Sequence, residues 1–161
     1  MNFKHVEYKD LQPKQQEIYN FQKLSGILAD YGFNCIKLSD DWNGADFLAY
    51  HHNGEDTIKV QLKGRLSIFK KYIKKDIYIA FPINNDWYLI EHDELVKIVE
   101  NNTPWLESES WITGGGYASG NPSQKLLDAI KDKKYLLSKT NQLTGEPISK
   151  SYLQHYTKSV R

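Results

Sequence analysis

Apolar residues recur at helical spacing through the first part of the chain. Ile18, Phe21, Leu24, Ile27, Leu28 and Tyr31 share one face, which predicts a helix over 13–31. Pro13 suits its first turn and Gly32 its stop. The pattern then shortens to runs of strand length. Residues 33–38 predict a short strand, 39–44 a turn, and 45–50 a second strand. A hairpin through Asn53-Gly54 closes over 51–56, followed by a third strand over 57–63. In that strand Ile58, Val60 and Leu62 alternate with Lys59, Gln61 and Lys63. The segment 65–76 reads equally as strand and turn or as a short helix. Strands follow at 77–81 and 87–90, joined by 82–86, and a short helix at 93–101. Residues 103–122 are loop-rich, and a final helix over 123–133 has Ser123 as its cap. This order predicts an α/β fold, with a central mixed sheet of about five strands flanked by the first and the later helices.

Composition narrows the class. The chain has 161 residues, 40% of them hydrophobic and 25% charged, as expected of one folded domain rather than a disordered chain. The domain is expected to span 1–137, with 138–161 a polar extension that is extended or partner-dependent. No run approaches the roughly 20 apolar residues needed to cross a bilayer, and residues 1–7 lack the apolar core of a leader. Cys35 is the one cysteine, so an internal disulfide is excluded. It is expected to serve as a small core hydrophobe, in a cytoplasmic protein with no membrane partner.

Several chemistries find no support. His51-His52 point to opposite strand faces and chelate poorly, while His5, His92 and His155 lack ligand spacing for zinc. Gly114-Gly115-Gly116 has no lysine of a phosphate loop and reads as a flexible connection. No serine stands in a nucleophile elbow. Trp105 and Trp111 are expected to cover the sheet, with base stacking the alternative for them and Tyr117.

Charge is distributed unevenly. Net charge is only +1, yet 59–75 holds seven basic residues, while all 20 acidic residues lie elsewhere. Such a stretch draws a polyanion to one face, or it is a solvated turn guarding a sheet edge. Arg65 is the best single candidate for a phosphate contact. Lys70, Lys71, Lys74 and Lys75 would follow a nucleic-acid backbone as a group.

The remaining pattern carries chemistry. Gln61 and Lys63 share a strand face, about 6.5–7 Å apart along the chain. Asp46 opens the neighbouring hairpin strand, and Glu17 lies in the preceding helix, with Glu7 its competitor should the helix start earlier. A carboxylate, an amide oxygen and a lysine at one corner are what metal-assisted phosphodiester hydrolysis requires.

The order helix-glutamate, Gly44-Ala45-Asp46-Phe47, then Val60-Gln61-Leu62-Lys63 resembles the PD-(D/E)XK nuclease superfamily, which includes restriction endonucleases, over about residues 14–95. The resemblance implies a restriction-endonuclease-like fold and a Mg²⁺-dependent endonuclease (Mn²⁺ a possible substitute) acting on DNA and leaving a 5′-phosphate. Asp46, Gln61, the Leu62 carbonyl and Glu17 would bind the metal, and Lys63 would position the attacking water. Two departures stand out. Ala45 occupies the proline position, and Gln61 replaces the second carboxylate, giving a ligand without charge. Cutting both strands with one compact site per chain calls for a homodimer or larger assembly. The second reading is a catalytically weak or inactive DNA-binding module on the same fold.

Overall fold

The computed structural model describes residues 2–84, 86–131 and 135–137. Its first long element is α1 (Pro13–Asp30). Gln12 and Gln15 form a reciprocal capping box around a Pro13 start, and Tyr31 is the C-cap. Gly32 then takes a φ of 82°, the left-handed conformation that ends many helices. Leu24 and Leu28 are fully buried, whereas Ile18 faces outward and Asn20 takes an inward position. Asn20 Nδ2 donates to the Tyr8 hydroxyl at 2.8 Å.

The strands β1 (Phe33–Trp42), β2 (Ala45–His51) and β3 (Thr57–Leu62) follow as two hairpins. The first strand outruns its expected end because its turn is only two residues. Asn43 and Gly44 both have positive φ, 56° and 90°, which matches the twist of a two-residue hairpin. The extra length is absorbed where the β1–β2 register shifts, between Lys37 and Trp42. The second hairpin closes where expected. Asn53 Oδ1 accepts from the backbone N–H of Glu55 and Asp56, and Gly54 supplies the positive φ.

The ambiguous segment becomes β4 (Leu66–Phe69) followed by a 3₁₀ turn at Lys70–Tyr72. Beyond it lie β5 (Tyr78–Ile83), β6 (Asp86–Glu91) and α2 (His92–Asn102). The expected loop holds more structure than its polarity suggested: a 3₁₀ turn at Trp105–Glu107, α3 (Glu109–Ile112) and β7 (Gly116–Ser119). The glycine run is therefore not simply a flexible connection. Gly116 begins β7 and lies directly against the Phe69 ring, where a side chain would not fit. The last elements are α4 (Gln124–Ile130), capped by Ser123 as expected and followed by its C-cap Lys131, and β8 (Leu136–Leu137). The polar extension at 138–161 lies outside the described residues.

Among the described residues six strands form the main sheet in the order β1-β2-β3-β5-β6-β8, and β4 pairs with β7 in a separate ribbon. Only β3 and β5 run parallel in the main sheet of the described residues, so it is mixed. The coarse α/β expectation is met, with β8 added to the expected five strands. On one face α1 packs Leu24 and Leu28 against Phe47, Ala49, Val60 and Ala80, with Cys35 at the margin. On the other, Ile79, Phe81 and Ile90 meet β4, α2 and α4 through Ile68, Leu95, Val99, Leu126 and Ile130. Trp105 and Trp111 belong to this second core, as expected of residues covering the sheet. No helix of the described residues is long and apolar enough to cross a membrane.

Two glycines predict opposite outcomes on substitution by alanine. Gly26 is exposed within α1, and a Cβ there meets nothing within 4 Å, so Gly26→Ala should stabilise the protein by roughly 0.5–1 kcal/mol. At Gly44, with its φ of 90°, a Cβ would lie 2.5 Å from the Tyr72 ring. Gly44→Ala should therefore destabilise by roughly 1–3 kcal/mol. Urea denaturation of both variants tests the pair, and equal midpoints would contradict the turn geometry.

Candidate functional site

The site begins where β3 changes partners. The β2–β3 ladder ends at the Phe47–Val60 pair. From Val60 onward β3 pairs with β5, through Gln61–Ile79 and Leu62–Ala80, and the Lys63 N–H continues to the Ala80 carbonyl at 2.8 Å. The two neighbours of β3 thus separate at Asp46. Into that opening Asp46 turns its carboxylate. Oδ2 accepts the Leu62 backbone N–H at 2.7 Å and Gln61 Nε2 at 2.5 Å. A side chain has replaced a ladder bond at the divergence.

Alternation sets the face. Ile58, Val60 and Leu62 belong to the α1 side of the sheet, which directs Gln61 to the other side. There it is 5% exposed, and both ends of its amide are engaged. Oε1 accepts the Tyr72 hydroxyl at 3.0 Å. Nε2 reaches Asp46 and also lies 3.4 Å from the Leu62 carbonyl oxygen. Tyr72, itself 2% exposed, is held edge-on by Phe69 and by His92. Lys63 Nζ lies over the same two rings, 5.1 Å from the centre of Phe69 and 5.7 Å from that of Tyr72. Asp46, Gln61, the Leu62 carbonyl and Lys63 therefore gather in one neighbourhood.

Glu17 is placed elsewhere. Its carboxylate bonds Lys14 and Lys37, each at 2.8 Å. These hydrogen bonds, Lys14 first, hold its pKa below the usual carboxylate value. Lys37 shares the strand face of Phe33 and Cys35, which pack on the α1 side. The glutamate thus lies across the sheet from the Gln61–Tyr72 pair. Glu7 is exposed on the segment before the 3₁₀ turn at Tyr8–Asp10 and also stands apart from the group.

The basic residues divide into two sets. Arg65 is exposed just beyond Lys63, and no hydrogen bond or ion pair ties its guanidinium to the described residues. Lys70 Nζ instead donates to the Ile112 carbonyl at 2.9 Å and lies over Trp111. Lys71 lies over Tyr72 at 4.8 Å. Lys74 and Lys75 have exposed side chains, while their backbones meet Asp93 and Lys59 respectively. The basic stretch is partly scaffold and partly open surface. Trp111 and Trp105 are 7% and 8% exposed, so neither presents a ring face for stacking on a base.

Tyr72 and His92 carry no motif, and nothing in the residue pattern marks them as part of this site. The one signal for Tyr72 is an aromatic residue set within a lysine run. His92 is fully buried behind Tyr72. Its Nε2 accepts the Phe69 N–H at 3.2 Å, and its Nδ1 faces Asp93 at 3.3 Å, so the tautomer that fits carries the proton on Nδ1.

Asp46, the Gln61 amide and the Leu62 carbonyl are hard oxygen donors suited to Mg²⁺ or Mn²⁺. The set holds one negative charge, and among the described residues no three His, Cys, Asp or Glu side chains cluster to hold a metal. Gln61 also presents its nitrogen, not its oxygen, to Asp46. For all three oxygens to face one cation, that amide would have to be reversed. The chain matches no family model, no curated protein and no solved structure.

Burial pushes the His92 pKa down, with Asp93 only partly opposing it. The native state therefore favours neutral imidazole, whereas the unfolded chain protonates near a pH of about 6.5. His92's contribution is complete above that pH and is lost as pH falls through the folded pKa. The wild-type melting temperature should fall on acidification from neutral pH, and His92→Gln should show a shallower decline over the same window. Parallel curves would remove His92 as the cause.

Proposed function

We propose that the protein is a metal-dependent endonuclease that hydrolyses DNA phosphodiester bonds. The observation that carries this reading is the convergence of Asp46, the Gln61 amide and the Leu62 carbonyl beside Lys63, at the point where β2 and β3 part. Asp46, Gln61 and the Leu62 carbonyl would hold the cation. Bound there, it would polarise a phosphate and lower the pKa of a water. The resemblance of the Asp46 and Gln61-Leu62-Lys63 segments to the PD-(D/E)XK superfamily supports the reading, as does a mixed sheet that displays both segments together. A restriction-endonuclease-like fold is part of the same proposal.

The chain's own residues have separable tasks. Lys63 supplies a positive charge where a water and the scissile phosphate would meet, orienting the nucleophile and offsetting charge in the transition state as the 3′-oxygen leaves. The rings of Phe69 and Tyr72 restrict its swing and preserve that placement. Arg65 binds a backbone phosphate, with Lys74 and Lys75 extending the contact. Glu17, paired with two lysines on the α1 side, is assigned no direct metal contact in this scheme. Cutting both strands would use two copies of the chain, with the C-terminal half and the extension as candidate contacts.

One observation favours the second reading, a DNA-binding module of the same architecture with weak or no catalysis. Gln61 donates a hydrogen bond to Asp46 through its own amide nitrogen and contributes no second charge.

Supercoiled plasmid in Mg²⁺ or Mn²⁺ decides between them. Nicking by the wild type is expected, with Lys63→Ala reducing the rate by about 10²–10³-fold. Asp46→Asn, which retains an acceptor for the Leu62 N–H, should abolish the metal response. Retention of DNA without cleavage in either metal selects the binding module. Neither cleavage nor salt-dependent DNA binding would reject both.

The contribution of Arg65 has a separate measurement. Arg65→Ala should weaken DNA binding equally across sequences and reduce the slope of log K against log salt by about 1. An unchanged slope would take Arg65 out of the phosphate contacts.

A further inference from the structure

The Gln61 amide occupies an informative position. Its NH₂ group lies between the Asp46 carboxylate and the Leu62 carbonyl, 2.5 Å from the first and 3.4 Å from the second. These are two of the oxygens that would ligate a cation. Without one, the opposite orientation would set the amide carbonyl against the carboxylate, oxygen to oxygen. The NH₂ group, a donor with partial positive charge, thus acts as an internal substitute for the cation. Terminal amide torsions have broad, roughly two-fold preferences, so reversal needs no backbone movement.

Reversal does require that the other end of the amide find a new partner, because Gln61 is buried. Tyr72 supplies it. In the present orientation its hydroxyl donates to Oε1 at 3.0 Å. A phenolic oxygen also accepts, so the same hydroxyl can receive Nε2 after the amide turns. Gly44, Phe69 and His92 surround the ring and hold the hydroxyl in place for both states.

We infer that Tyr72 is a positioning residue of this site: it steadies the Gln61 amide in two orientations, one with NH₂ closing the gap between Asp46 and the Leu62 carbonyl, the other with Oε1 offered to a divalent cation. The inference rests on the metal-site reading and adds a defined rearrangement to it. Cation binding then carries the cost of breaking the Gln61–Asp46 hydrogen bond. The same bond gives Asp46 a donor in the metal-free protein, where a glutamate at 61 would face it as a second carboxylate.

Side-chain amide NMR of the full chain, titrated with Mg²⁺ alone, tests this directly. In metal-free protein the Gln61 NH₂ protons should show contacts to the Asp46 β-protons. On titration these should give way to contacts with the Tyr72 ring, while the Leu62 backbone amide shifts in parallel. A Leu62 shift with the Asp46 contacts retained would overturn the reversal and leave the metal site standing. No shift at Leu62 or Gln61 at millimolar Mg²⁺ would overturn both.

Gln61→Glu gives an independent measurement by thermal unfolding and calorimetry. In chelator the variant should melt below wild type. It should bind Mg²⁺ at least about tenfold more tightly, since affinity follows ligand charge, and gain more in melting temperature on addition of the metal. A variant as stable as wild type in chelator would contradict the role assigned to the amide.

Discussion

The hydrogen bond from the Leu62 N–H to Asp46 Oδ2 is the constraint from which the candidate site follows. A strand that leaves one neighbour for another exposes a backbone donor at the point of departure. Leaving such a group unpaired away from water costs roughly 1–3 kcal/mol. An acid at position 46 satisfies the donor and brings a carboxylate into the opening. Once there, it needs compensation, and Gln61 supplies it through Nε2. Gln61 in turn engages Tyr72. The polar cluster is thus built outward from one backbone group, each member satisfying the one before it. Structural demand and candidate chemistry coincide at Asp46, so a loss of activity on its removal is informative only where folding is measured alongside.

The basic stretch has a similar double character. Lys59 ion-pairs with Asp76 and caps the Lys75 carbonyl. Lys70 closes onto Ile112, tying the turn after β4 to the end of α3. These lysines hold together a long connection between parallel strands, which has no hairpin to organise it. Charge asymmetry along a chain therefore overstates the cations available to a ligand. Exposure and partners reduce the open set here to Arg65 and a few neighbours.

Much of the main sheet was legible because its signals are local. The Asn53-Gly54 turn, the alternation through β3 and the stop at Gly32 each act within a few residues of the structure they specify. The face shared by Gln61 and Lys63 follows from alternation alone. Other features depend on partners distant in the chain. β7 was missed because Gly116 and Ala118 are poor strand formers, and pairing with β4 decides their conformation. The start of β1 was placed correctly and its end was not, because a two-residue turn at Asn43-Gly44 leaves 39–42 extended. The helix position of Glu17 was readable, but the side of the sheet it serves was not. That depends on Lys37, twenty residues away. Tyr72 lay within the one ambiguous segment, and its burial comes from tertiary contacts with Gly44 and His92.

The register shift in β1 bears on how copies of the chain can meet. As the outermost strand of the sheet among the described residues, β1 presents a backbone edge of the kind that templates further strands and leads to aggregation. Regular pairing to β2 runs from Phe33 to Lys37 and breaks before Trp42, so the straight portion is short. Lys37 lies at its end and Asp40 beyond it. An irregular edge flanked by charge resists continuous strand addition. A sheet extended from one molecule into the next would find only a few residues in register, which leaves other surfaces as the ground for any specific pairing of two copies.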